Sequence, residues 1–290
     1  MRVAVLATVA MIAFAANSVL ARLALGAGDM SAMGYTSVRL ISGAVTLAAI
    51  VYVRRPKTGR FAMVVSGSWW GAAALLGYAL AFSIAYLMLG AATGALILFA
   101  SVQIGMLAWA ILKGDRPSVP EWLGLGVALV ALVFLVAPGL VAPPLLGTVL
   151  MVGAGLCWAA YSVMGRGSRA PLDDTAGNFI RCLPIAVVLA IAGNMTHTST
   201  TAGLAHAIAS GAVASGVGYA IWYAVLPGLT RTSAAFIQLT VPAIAAAGGV
   251  VFIGEQLTGR LLFSSAGILG GVALALLAAN QRRAKASRTP

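Results

Sequence analysis

Charge is what this chain most lacks. Only 8% of its 290 residues are charged, six of them acidic, whereas a water-soluble domain carries about 25%. That scarcity excludes a soluble fold. With 61% hydrophobic residues and a mean hydropathy of +1.01, the chain is assigned to a bilayer. Cysteine is equally scarce: Cys157 and Cys182 lie inside apolar runs without metal-ligand spacing, so they read as small apolar fillers, not as a disulfide or a metal site. Acids are missing from the middle of every apolar run. Asp29, Asp115, Glu121, Asp173, Asp174 and Glu255 all fall in loops or within about a turn of a helix end.

What is present is a series of long apolar runs, at about 3–25, 33–53, 66–89, 92–112, 119–137, 145–165, 175–193, 204–226, 232–253 and 260–279. At 1.5 Å rise per residue, ~20 residues match a hydrocarbon core ~30 Å thick. The expectation is ten membrane helices with short loops. The weakest separations are Leu89 to Thr93 and Pro227-Gly228. Arg2 with Phe14-Ala15-Ala16 resembles a secretory signal. That reading fails because the segment has a full-length counterpart later in the chain.

The counterpart belongs to an internal repeat. Gly77-Tyr78-Ala79-Leu80-Ala81-Phe82 returns as Gly218-Tyr219-Ala220-Ile221-Trp222-Tyr223 at offset 141. Ala15 to Val19 with Arg22 aligns with Ala159 to Val163 with Arg166 at 144. Val38-Arg39 aligns with Ile180-Arg181 at 142, and Thr93, Ala95 and Ile97 align with Ser233, Ala235 and Ile237 at 140, as does Gly114-Asp115 with Gly254-Glu255. A smoothly drifting offset is not produced by composition. The chain is read as two five-helix copies, residues 1–140 and 141–290, forming one membrane domain. A unit with an odd number of crossings ends on the opposite side, so the second copy is inverted, a plan common among secondary transporters.

Loop charge orients the bundle. With the N-terminus inside, Arg2, Arg54, Arg55, Lys57, Arg60, Lys113, Arg116, Arg166, Arg169, Arg231, Arg282, Arg283, Lys285 and Arg288 fall inside, against Arg22 and Arg260 outside. Fourteen to two is a strong positive-inside bias. Both termini are expected in the cytoplasm. The net charge of +12 then reflects orientation and anionic lipid, with no nucleic-acid partner.

These residues carry a resemblance. Ten runs in two halves, with Gly254-Glu255-Gln256-Leu257-Thr258 closing the ninth and Gly114-Asp115-Arg116-Pro117-Ser118 closing the fourth, resemble the drug/metabolite transporter superfamily and its EamA-type ten-helix exporters. The family's proline step in the fourth and ninth runs survives only as Thr240-Val241-Pro242; the fourth reads Ser101-Val102-Gln103. The aromatic pattern resembles most the exporters of aromatic and other neutral amino acids, the YddG type. The resemblance implies a bacterial inner-membrane exporter of small metabolites working by alternating access, with amino acids or related metabolites as substrate partners alongside membrane lipids, and no cofactor. Drugs, cofactor precursors or lipid-linked sugars are the alternative cargo, and a receptor or structural membrane protein is the alternative of another class. The oligomeric state is open, with a monomer compatible.

Site candidates follow from polarity at membrane depth. Tyr78, Phe82 and Tyr86 repeat every four residues on one helix face, and Tyr219 and Tyr223 occupy the matching face. A phenol in hydrocarbon needs a partner, so these rings should point into the bundle. Trp158 lies well inside the sixth run, whereas Trp69, Trp70 and Trp122 read as interfacial anchors. Asn17, Ser101, Gln103, Tyr161, Gln238 and Thr240 are the other mid-run polar groups, either gluing helices or lining a path. Together they suggest a neutral cavity suited to zwitterions. Arg39 and Arg181 are the basic residues well inside runs: each either snorkels or pairs with a loop acid or carbonyl, or attracts a substrate carboxylate. Pro184 and Pro242 are hinge candidates. The glycine pairs 67/71, 90/94 and 267/271 are assigned to helix packing. A transporter driven by protons or sodium usually keeps an ionisable residue inside the membrane, and the absence of Asp and Glu from the middle of every run argues for passive, gradient-driven export. His197 and His206 sit near an outer loop and read as exposed polar residues, and Asn194-Met195-Thr196 fits a weak glycosylation pattern. Asp173-Asp174 has no second acidic cluster and no nucleophile, base and orienter set is visible, so nothing supports an enzyme or a metal.

Overall fold

The computed structural model describes residues 2–54, 66–136, 143–254 and 256–286, the side chains at 2, 90–93 and 283–286 excepted. The expected boundary between the two copies lies at 137–142, outside the described residues, as do Arg55, Lys57, Arg60, Glu255 and Arg288. All the regular structure described is helical. In chain order it runs α1 (Arg2–Ala21), α2 (Ala32–Arg54), α3 (Trp69–Leu112), α4 (Val119–Val136), α5 (Leu145–Arg166), α6 (Pro171–Thr196), α7 (Thr201–Ala209), α8 (Gly218–Val225), α9 (Arg231–Gln238), α10 (Thr240–Ile253) and α11 (Gly259–Ala286). Among the described residues nine helical segments are long and apolar enough to cross a membrane, and Val119–Leu135 is a shorter apolar one. The ten sequence runs map onto these ten segments. Their outward faces are apolar, with Val45, Val188, Val251, Phe252 and Phe263 exposed. Exposure on this scale suits hydrocarbon and not water.

Local chemistry starts and stops these helices where the sequence offers it. Ser68, Thr200 and Thr230 cap α3, α7 and α9 by accepting from the backbone N–H three residues on, at 2.9 to 3.0 Å. Pro171 opens α6 with Asp173 and Asp174 in its first turn, where the helix dipole favours negative charge. The aligned glycines of the Gly-acid pairs close their helices in the left-handed region, Gly114 at φ 83° and Gly254 at φ 75°, a conformation that costs a glycine little.

Three departures from ten plain helices matter for the site. The third and fourth runs form one helical element, α3. It nevertheless doubles back: Tyr78, Phe82, Leu98 and Val102 line one small cavity, although 24 residues of straight helix would hold Tyr78 and Val102 ~36 Å apart. The eighth run widens into π-helix over Ser210–Val217 between α7 and α8. The ninth is interrupted at Leu239, between α9 and α10. Pro184, by contrast, sits inside an uninterrupted α6.

Helices α3 and α5, α2 and α6, and α4 and α11 pack as neighbours. Gly124 and Gly271 let α4 and α11 touch backbone to backbone, since a Cβ on Gly271 would lie 2.6 Å from the Gly124 carbonyl. Gly267 similarly faces Ala131, so the 267/271 pair has the packing role read from sequence.

Candidate functional site

The two repeat-related tyrosines meet at one guanidinium. Arg39, on α2, is 2% exposed. Its Nη2 donates to the Tyr219 hydroxyl at 3.0 Å and to the Tyr78 hydroxyl at 3.3 Å, and its Nε donates to Ser215 Oγ at 3.0 Å. The guanidinium also lies 5.2 Å from the Tyr78 ring centroid, a cation–π distance. Nη1 is buried without a hydrogen-bond partner, and no carboxylate among the described residues pairs with this cation. Two local features make room for it. The widened turn Ser210–Val217 presents Ser215, and Gly211 lets α2 approach so closely that a Cβ there would collide with the Arg39 carbonyl.

Trp158 sits against both tyrosines. Its ring centroid is 5.0 Å from those of both Tyr78 and Tyr219, and Phe14 stands edge-on to it at 5.3 Å. Phe82, Tyr86, Tyr161, Tyr223 and Phe179 extend the aromatic cluster at 5.6 to 6.0 Å from their ring neighbours. The cavity at its heart, about 30 Å³, is lined by Tyr78, Trp158, Tyr219, Asn17 and Gln238 among others. That volume holds a water or two. It adjoins a larger cavity of about 370 Å³ that shares Ser18, Phe82, Leu98 and Phe99 and reaches the bundle end carrying Arg22, Gln256, Thr258 and Arg260.

At the opposite end the bundle is fastened. The Tyr223 hydroxyl donates to the Tyr161 carbonyl at 3.2 Å, and its ring lies so close to Gly165 that a Cβ there would overlap it. Arg166 donates to the Leu229 carbonyl. Gly67 and Ser68 are pinned to α6 through Asp174 and Asn178 at 2.8 Å each. Arg282 pairs with Asp115 at 3.0 Å and with the buried Glu121 at 2.9 Å. Cavities of about 120 and 410 Å³ at this end share no lining residue with the central one.

A polar centre at mid-span, reached from one end and shut from the other, is a transporter's geometry. Residues 145–277 match the EamA-like transporter family. Over 275 residues the chain is 46% identical to the uncharacterized protein PA1977 of Pseudomonas aeruginosa, covering 95% of this chain and 94% of that one. It is also 30% identical over 252 residues to the threonine/homoserine exporter RhtA of Salmonella typhimurium strain SL1344, covering 83% and 80%. The chain belongs to the EamA-like transporter family. RhtA of Escherichia coli K12 is 31% identical over 241 residues, covering 79% and 76%. A crystal structure sharing 20% identity superposes with a TM-score of 0.72 over 93% of this chain and 97% of that one, which shows the same fold.

Within this EamA-like bundle the sequence-selected residues divide. Tyr78, Phe82, Trp158, Tyr161, Tyr219, Tyr223 and Arg39 gather around the centre. Asn17 lines the same cavity and accepts from Ser210, which in turn accepts from the Tyr35 hydroxyl at 2.8 Å. Ser101 donates to its own helix at Ile97, 2.7 Å away. Gln103 and Gln238 commit their amide N–H groups to the Ala235 and Ala234 carbonyls at 2.7 and 3.1 Å. Arg181, the repeat counterpart of Arg39, donates to the Ser66 and Gly177 carbonyls and lies over the Trp69 ring at 5.7 Å. It is a fastener at the shut end. Sequence reasoning passed over Tyr35, Phe14 and Ser215. Tyr35 stands four residues before Arg39, on the same helix face, a spacing that could have found it; Ser215 carries no local signal.

Proposed function

We propose that this protein exports neutral amino acids, aromatic ones among them, and that the substrate carboxylate is drawn to the centre where Tyr78 and Tyr219 converge on Arg39. The observation that carries this reading is the Arg39 guanidinium itself, buried inside the bundle with one nitrogen unpartnered and no acid beside it. A desolvated cation is costly without a counter-ion, and a zwitterion's carboxylate supplies one. Each tyrosine hydroxyl accepts from Arg39, which leaves its own proton to donate to that carboxylate. The aromatic walls offer their faces to the ammonium and the side chain. The threonine/homoserine exporters among the relatives support the amino-acid class.

With the loop charges oriented positive-inside, the open cavity faces outward and the shut end faces the cytoplasm of a bacterial inner membrane, both termini inside. The two halves, 1–140 and 141–290, exchange the open and shut roles. Movement is downhill, since the acids of the described chain lie at helix ends and not beside the central site. Purified protein in liposomes loaded with unlabelled threonine, homoserine or phenylalanine should accumulate the labelled counterpart by counterflow, with no response to an imposed pH step. Absence of counterflow with every neutral amino acid sinks the substrate assignment. Drugs, cofactor precursors or lipid-linked sugars would then take their place in the same assay.

A further inference from the structure

The interruption between α9 and α10 is held open by side chains from both halves of the molecule. Pro242 has no N–H to offer the Gln238 carbonyl four residues earlier. The Leu239 N–H turns to Phe236 at 3.0 Å, so the Ala235 carbonyl loses its helical donor. Gln103 Nε2, from the other repeat, takes that place at 2.7 Å. Gln238 Nε2 reaches the Ala234 carbonyl at 3.1 Å, and the Thr240 hydroxyl reaches that of Ile237 at 2.7 Å. In hydrocarbon a freed backbone carbonyl must be satisfied locally, and here the four consecutive carbonyls of residues 234 to 237 receive side-chain or tightened backbone donors. The break is therefore a built feature. It is also wired to the central cluster, because Trp158 Nε1 donates to Gln238 Oε1 at 2.7 Å.

The repeat sharpens the point. Pro242 aligns with Val102, so the first half has no such break, and beside Val102 stands the Gln103 that caps the break of the second half. One repeat carries the interruption and the other carries its cap. We propose that Gln103 and Gln238 are positioning residues for transport: they stabilise a mid-membrane hinge at Leu239 and transmit the state of Trp158 to it, without binding substrate. A substrate that stacks on Trp158 shifts the Gln238 amide, and the same amide holds the last turn of α9. The hinge is built from backbone geometry and needs only alternating access, not the amino-acid assignment.

The experiment compares Gln103→Met, which keeps the length and loses the donor, with a Gln103→Met/Pro242→Ala double variant, in which residue 242 regains an N–H and the helix can close. Gln103→Met should lower counterflow turnover by about tenfold, the worth of one lost buried hydrogen bond at the barrier, with KM within about twofold. It should also lower thermal stability. The double variant should recover stability yet stay slow. A substrate-free readout accompanies these: Ser18→Cys, in the outward cavity, should be labelled by an impermeant thiol reagent at a rate that the hinge variants shift. Three results overturn the proposal: unchanged turnover and labelling in Gln103→Met, a raised KM at normal turnover, which would make Gln103 a ligand, or a double variant restored in both stability and turnover, which would make the amide merely structural. If wild-type protein shows no counterflow, the substrate reading falls while the labelling rates still decide the hinge.

Discussion

Replacing Arg39 by Gln tests the centre most directly. The substitution removes the buried cation that meets Tyr78, Tyr219 and Ser215 at 3.0 to 3.3 Å. A hydrogen bond to a charged group is worth roughly 1.5–3 kcal/mol net, so the dissociation constant of a zwitterionic substrate should rise about 10- to 150-fold. Folding should change less. The bundle loses three hydrogen bonds but also the cost of burying a charge, of order several kcal/mol, and these oppose each other. Equilibrium binding of labelled threonine and of its carboxyl-free amino alcohol, each to both proteins, forms a cycle that isolates the carboxylate contact. Wild-type protein should prefer threonine by a margin that nearly vanishes in Arg39→Gln. An undiminished preference in a folded variant refutes the carboxylate assignment.

Other outcomes follow from the same geometry. Tyr78→Phe and Tyr219→Phe each remove one acceptor of the same Arg39 nitrogen and should weaken binding by similar amounts, about three- to tenfold, read by the same binding assay. Gly165→Leu leaves no room for the Tyr223 ring, so the shut end cannot close; a cysteine at that end should become reactive from the cytoplasmic side while counterflow falls. Arg282→Ala strands the carboxylate of Glu121, which is 0% exposed. Because Arg282 itself is partly exposed, the loss is nearer 1–2 kcal/mol than that of a fully buried pair, visible as a lower thermal midpoint with substrate affinity retained.

Much of the architecture was legible from one-dimensional pattern, because span length is set by bilayer thickness and repeats survive as offsets. The split between the third and fourth runs at Leu89 to Thr93 was legible too; that the backbone stays helical through it was not. Gln103 and Gln238 were legible as polar groups inside the bundle, but sequence reports that a side chain has donors, not which carbonyl it meets. The Ala235 carbonyl that Gln103 caps becomes free only once the Leu239 N–H turns to Phe236 and interrupts the helix.

The sequence by itself determined the solvent, the number of apolar runs and the pairing of Tyr78 with Tyr219, all local properties of composition and spacing. It left Arg39 and Arg181 equivalent. Only the tertiary structure separated them, placing Arg39 against Ser215 and Tyr219, some 176 and 180 positions away, and Arg181 against the Ser66 carbonyl and the exposed Trp69. The physical reason is that a cation's role in a membrane is fixed by the groups that desolvate or satisfy it, and those arrive from remote parts of the chain. The same remoteness brought the two copies of the Gly-Tyr step together: two tyrosines a half-molecule apart in sequence share one guanidinium nitrogen.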